Sequence, residues 1–114
     1  MKIGIDIQQI AKVKSLVGTP RMQRIFSEYE LSYIEKKNFA PRTIAGLYCA
    51  KEAYFKALGT GVIHNQLNKV EVLHDELGAP YLNLPDKSIK TTLSISHTKS
   101  VAVAVVIIIE EFND

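Results

Sequence analysis

Residues 44–58 read IAGLYCAKEAYFKAL. Ile44, Leu47, Tyr48, Tyr54, Phe55 and Leu58 recur at helical spacing, so this stretch is predicted to be a strong helix with an apolar stripe. Pro41 to Thr43 forms a break ahead of it, with Thr43 as a candidate N-cap. Gly59-Thr60-Gly61 ends it. Glu52 and Lys56, four apart, project from one face of this helix. An ordinary surface pair of that kind contributes only ~0.3–0.5 kcal/mol. However, the small residues Cys49 and Ala45 precede them on the same face, which suits a covered surface better than an exposed one. A carboxylate within so apolar a helix requires a partner, a metal or a water-filled cleft.

Toward the N-terminus, Lys2 to Ile7 alternates as a strand. Ile3, Ile5 and Ile7 share one face, while Gly4 and Asp6 lie on the other with Lys2. Ile10, Val13, Leu16 and Val17 then take helical spacing until Gly18. Thr19-Pro20 reads as an N-cap and first helical position, and Ser27 with Glu30 as a capping box. The helix that follows carries Leu31 and Ile34 and fades near Asn38.

Beyond the glycines the period changes. Residues 62–68 read as a loop. Val70–Leu73 and Tyr81–Leu84 read as strands joined by a turn over Asp75–Pro80. Pro85–Lys90 is a polar connector, Thr91–His97 a strand, and Val101–Glu110 a long strand apolar on both faces. Such a strand must be covered twice, by its own helix on one side and by another subunit on the other. The expected architecture is α+β, with helices packed on an antiparallel β-sheet.

The chain has 114 residues, 46% hydrophobic and 23% charged, which fits one folded domain over residues 1–114 and excludes disorder as the main state. Cys49 has no partner for a disulfide within the chain, in keeping with a reducing compartment. No secretory h-region is visible. The longest apolar run, Val101–Ile109, has nine residues against the ~20 needed to span a bilayer. The expected location is cytoplasmic, with no membrane partner. Fourteen basic against 12 acidic residues leave a net charge of +2. Between Gln8 and Phe26, however, Lys12, Lys14, Arg21 and Arg24 occur with no acidic residue. The segment is either a solvated helix face or a surface for an anionic partner. Aromatic residues are not interleaved with these cations, so nucleic acid is not an expected partner. A P-loop, a dinucleotide glycine motif, paired zinc cysteines and a nucleophile elbow are all absent from the sequence.

Asp6 alone could cap the next helix. Beside Gly4, where backbone can approach closely, it could instead join Glu52 around a hard cation. Magnesium takes few protein ligands and completes its octahedron with water and substrate phosphates. Lys56 would then meet phosphate as a point charge. Gly59-Thr60-Gly61 is either a plain helix C-cap or a set of amides for phosphate. His64 and His74 read as solvated. His97, in Ser94-Ile95-Ser96-His97-Thr98, either contacts phosphate or caps a turn.

Gly4-Ile5-Asp6-Ile7 resembles one signature of the phosphopantetheinyl transferases, and Tyr48-Cys49-Ala50-Lys51-Glu52-Ala53-Tyr54-Phe55-Lys56-Ala57 resembles the other. Leu58-Gly59-Thr60-Gly61, Glu71-Val72, Gly78-Ala79-Pro80-Tyr81 and Ser94-Ile95-Ser96-His97-Thr98 are similar to the short bacterial branch. The motifs occur in order over nearly the whole chain. The resemblance implies transfer of 4′-phosphopantetheine from coenzyme A to a serine of an apo-acyl carrier protein, releasing adenosine 3′,5′-bisphosphate. It implies Asp6 and Glu52 as magnesium ligands and Lys56 at the phosphates. It places Lys51, Gly59, Thr60 and Gly61 close to the coenzyme, and His97 and Thr98 near its 3′-phosphate. It also implies a homotrimer with clefts at subunit interfaces. The acidic carrier protein gives Lys12, Lys14, Arg21 and Arg24 a partner.

Four positions depart from the family pattern. Gln9 stands where a glutamate is usual, Leu47 where an arginine or lysine is, and Tyr48 where a phenylalanine or tryptophan is. The Pro85–Lys90 connector is short where many members have a helix. Two other classes use the same features. A magnesium-dependent phosphohydrolase with water as acceptor would cleave coenzyme A without a carrier protein. A non-catalytic module binding an acidic protein would be insensitive to Glu52→Ala.

Overall fold

The computed structural model describes residues 1–109. Strand β1, Lys2–Gln9, runs directly into a single α-helical turn, α1 (Ile10–Val13), and a 3-10 turn over Lys14–Leu16. The apolar spacing of this stretch is therefore real, but Gly18 follows too soon, and no side chain caps the start. Helix α2 covers Arg21–Ile25. Thr19 does not cap it: its hydroxyl donates to the Leu16 carbonyl at 2.7 Å, and Pro20 takes the cap position. Helix α3, Glu28–Lys36, starts on the expected capping box. The Glu30 amide donates to Ser27 Oγ at 3.2 Å, and the Ser27 amide to Glu30 Oε1 at 2.8 Å.

Helix α4 spans Pro41–Leu58. It begins three residues before the predicted start, because Pro41 sits in the first turn, where its missing N–H costs nothing. Thr43 is thus inside the helix. Gly59 closes it in the left-handed conformation, φ 83°. Residues 64–69 coil into a 3-10 helix rather than an open loop. Strands β2 (Glu71–His74), β3 (Pro80–Asn83), β4 (Lys90–His97) and β5 (Val101–Ile109) complete the order, with Glu110 outside the described residues.

The strands form two antiparallel sheets, β1-β5-β4 and β2-β3. In the larger one Asp6 pairs with Ala104, and Gln8 with Ala102. Helix α4 lies across one face of it. Small residues make that contact: Ala45, Cys49, Ala50, Ala53 and Ala57 of α4, with Ala102 and Ala104 of β5, are all buried. Gly4 permits the closest approach. A Cβ there would lie 2.0 Å from the Ala53 carbonyl oxygen and 2.5 Å from the Ala57 nitrogen. No real Cβ tolerates that, so only glycine lets β1 touch α4, and Asp6 is brought to the helix two residues later.

Among the described residues, no helix lies on the opposite face of the sheet. Ile3, Ile5 and Ile7 are 66%, 59% and 60% exposed. Opposite them in register stand Ile107, Val105 and Val103, half-buried. The long strand β5 is thus apolar on both sides, as expected, and its own helix covers one.

Candidate active site

Asp6 and Glu52 come from a strand and a helix 46 residues apart and meet where β1 crosses α4. The Asp6 side chain is only 5% exposed. Lys56 Nζ donates to Asp6 Oδ1 at 2.9 Å. Gln8 Nε2 donates both to Asp6 Oδ2 at 2.9 Å and to Glu52 Oε2 at 2.5 Å. One amide therefore spans the two carboxylates. Their proximity has an electrostatic consequence: burial and then Asp6 push the Glu52 carboxyl up to about 7, opposed by Lys56 and Gln8. Lys56 is shifted upward in turn, chiefly by its hydrogen bond to Asp6, while half of its side chain remains in solvent. The site thus has a deficit of positive charge around buried oxygens and one mobile ammonium at its rim.

The other residues expected here fall in three places. Lys51 is not near this group. Both Lys51 and Glu30 are 0% exposed, and they form an ion pair at 2.6 Å. Lys51 Nζ also donates to the carbonyls of Leu67 at 2.8 Å and Val70 at 2.7 Å. Three donors and three acceptors leave this ammonium nothing for a ligand. The expectation that Lys51 lies against the coenzyme is corrected accordingly: it fastens the 3-10 segment and the start of β2 beneath the site. Glu30 completes the clamp by accepting from the Val72 amide at 2.8 Å. Burial pushes Glu30 up and Lys51 down, each opposed by the other's charge.

Gly59, Thr60 and Gly61 are exposed just past the C-terminus of α4, three to five residues beyond Lys56. Gly59 serves as the helix cap, its amide bonding back to Phe55 and Lys56. His97 and Thr98 sit at the far end of β4. They line a cleft of about 500 Å³ with Lys14 and Arg42, and neither it nor the second cleft bounded by His97 includes Asp6, Glu52 or Lys56. Thr98 Oγ1 accepts from the Ser100 and Val101 amides at 3.2 Å each, so it caps the β4–β5 turn.

Tyr48, one turn before Glu52, faces a cleft of about 430 Å³ bounded by Arg21, Arg24, Ile25, His64 and Asn68. Burial, followed by the charge of Glu52, raises its hydroxyl. Lys12, Lys14, Arg21 and Arg24 are all exposed, and none is in an ion pair with a described residue. Cys49 is buried, donates to the Ala102 carbonyl at 3.3 Å, and is pushed up to about 12, mainly by burial. It is a structural thiol. His74 is not solvated: it stacks on Tyr33, with ring centroids 4.0 Å apart.

Gln8 was missed in the sequence, which drew attention to Gln9 instead. Strand alternation carried the signal, since Gly4, Asp6 and Gln8 share a face while Gln9 is exposed on the isoleucine side. Glu30 was read only as a cap.

A strand aspartate joined to a helix Glu-x-x-x-Lys across a glycine contact defines the class. Residues 2–106 match the model of the 4′-phosphopantetheinyl transferase superfamily, and the chain belongs to that superfamily. Within it the similarity is to the holo-[acyl-carrier-protein] synthases. The Clostridium tetani protein of that name is 40% identical over 117 residues, covering 93% of each chain. The Bacillus anthracis synthase, solved in complex with CoA (3′,5′-ADP), superposes with a TM-score of 0.84 at 34% identity over 94% of each chain. The Helicobacter pylori synthase in complex with coenzyme A gives 0.79 at 31% identity, covering 93% of this chain and 98% of that one. Among the described residues no helix is long and apolar enough to cross a membrane.

Proposed function

We propose that this chain, working as one domain over residues 1–114, transfers 4′-phosphopantetheine from coenzyme A to a serine hydroxyl of an acidic apo-acyl carrier protein. Adenosine 3′,5′-bisphosphate is the leaving group. The observation that carries the reading is the meeting of Asp6, Glu52 and Lys56, with Lys56 Nζ 2.9 Å from Asp6 Oδ1, in a chain of this superfamily. Displacement at a pyrophosphate needs charge neutralisation and alignment more than a covalent nucleophile, and Cys49, buried and protonated, offers none.

A buried and a half-buried carboxylate close enough to share one amide are a fitting donor set for a hard dication, with water and phosphate oxygens completing the shell. Asp6 and Glu52 would hold magnesium, which when bound supplies Lewis-acid stabilisation to the pyrophosphate. Lys56, with half of its side chain in solvent, would offer its ammonium to the phosphates and the departing oxygen. The exposed Gly59, Thr60 and Gly61 lie where the coenzyme would run past the end of α4. Arg21, Arg24, Lys14 and Lys12 steer the acidic carrier toward the cleft beside Tyr48.

The bare isoleucine face supports a homotrimer. Three copies joined through β1 and β5 would cover that face and bring one chain's His97 and Thr98 toward the next chain's Asp6 and Glu52. Within one chain His97 lies in a different cleft, so its proposed contact with the nucleotide's 3′-phosphate would require a neighbouring copy. A cytoplasmic enzyme of fatty acid biosynthesis is the setting that the reaction implies. Asp6→Ala and Glu52→Ala are each expected to abolish turnover with an unchanged far-UV circular dichroism spectrum. Full activity in either variant would remove the cation-site assignment.

A further inference from the structure

Asp6 and Glu52 are two ligands for an ion that prefers six oxygens, and among the described residues no third histidine, cysteine, aspartate or glutamate groups with them. Gln9, where the family pattern has a glutamate, is exposed on the isoleucine side of β1 and cannot reach the pair. Gln8 already does. Its two amide hydrogens go to different carboxylates, Asp6 Oδ2 at 2.9 Å and Glu52 Oε2 at 2.5 Å. Asp6 and Glu52 would hold the dication, and Gln8 already reaches both carboxylates. The carboxamide is two-ended: a half-turn of its terminal torsion exchanges a double donor for an acceptor oxygen with two lone pairs. The backbone needs no movement, because the side chain is already anchored on the correct face of β1.

We propose that Gln8 is the third protein ligand of the cation site. Without the ion its NH₂ bridges Asp6 and Glu52 and relieves their mutual repulsion. With the ion bound, the amide turns and Oε1 joins the shell. This inference rests on the Asp6–Glu52 cation reading and extends it. A neutral third ligand leaves the site at two protein charges rather than three, so the ion is held more loosely and its remaining positions stay open to phosphate and water.

The test uses full-length, metal-stripped protein and Mn²⁺ alone, with no coenzyme, and counts free Mn²⁺ by electron paramagnetic resonance. Wild type is expected to bind one Mn²⁺ per chain. Gln8→Met keeps the length and removes both ends of the amide; its dissociation constant is expected to rise about tenfold or more. Gln8→Glu, adding a charged oxygen at the same reach, is expected to lower it. An unchanged or smaller constant in Gln8→Met would overturn the proposal, since an amide that merely plugs an empty site strengthens binding when removed. If Gln8→Met fails to fold by circular dichroism, Gln8→Glu decides: no tightening contradicts ligation from this position. Absence of Mn²⁺ binding by wild type would remove the Asp6–Glu52 reading and Gln8 with it, whereas wild-type binding that Gln8→Met leaves intact removes Gln8 alone.

Discussion

Lys51 and Glu52 are separated by one position and about 100° of helix rotation, and that angle sends them to different environments. Glu52 emerges at the sheet edge beside Asp6; Lys51 points inward to Glu30. Removing one member of a buried pair strands the other charge, so Lys51→Met is expected to destabilise the fold by about 3–5 kcal/mol. Urea unfolding measures it. Joining Glu30→Leu to Lys51→Met is expected to restore most of that loss, and a cost below about 1 kcal/mol for the single variant would deny that the pair is shut from water. The spacing Glu52-x-x-x-Lys56 and the strand position of Asp6 were legible because each follows from a local period. The Lys51–Glu30 pair was not, since nothing in a sequence announces a contact between residues 21 apart on two different helices. Gln8 escaped for a related reason: glutamine has no preferred partner until the fold supplies two carboxylates.

At the scale of elements, the β1–α4 contact fixes the site. Gly4→Ala would put a methyl 2.0 Å from a backbone oxygen of α4, and flexible side chains cannot absorb it. The helix must lift, with an expected cost of at least about 1–3 kcal/mol. A lower melting temperature accompanied by weaker Mn²⁺ binding is the expected pattern, because Asp6 sits two residues further along the same strand. A second element-level test concerns the β2 end. His74 is held below its ordinary pKa by burial first and Lys37 second, partly opposed by Asp75. A histidine with a depressed folded-state value contributes stability above about pH 6.5 that is lost as pH falls through that depressed value. His74→Phe, which keeps the ring against Tyr33, is therefore expected to lose less melting temperature than wild type between pH 7 and pH 5. Equal slopes would mean that the ring takes up its proton without penalty. The ends of elements show what sequence conveys. The capping box of α3 and the glycine stop of α4 were visible because specific side chains make them. The start of α4 was hidden because Ala40 caps without a side chain and Pro41 was read as a break. The 3-10 segment at residues 64–69 was hidden because the buried Lys51 holds its carbonyl ends.

For the whole molecule, two surfaces are unaccounted for by the described residues of the single chain: an apolar sheet face and a basic face that forms no ion pair with another described residue. The doubly apolar β5 was legible as a strand needing two covers, whereas which residues of β1 join it became clear only from the register Ile5↔Val105. If the proposed trimer forms through this face, wild type is expected to sediment as three copies and Ile5→Lys as single ones, with the isolated chains retaining their far-UV spectrum. Wild-type monomers that are fully active would contradict sites built across subunits. On the other surface, Lys14→Glu with Arg24→Glu is expected to slow encounter with an acidic carrier protein and to flatten the salt dependence of the rate. The most direct test of the account is the intact mass of an apo-acyl carrier protein after incubation with this protein, coenzyme A and magnesium, run beside an EDTA control. The expected result is a metal-dependent gain of one phosphopantetheine arm on the carrier. An unmodified carrier, with adenosine bisphosphate released into solution or with no release, would contradict it.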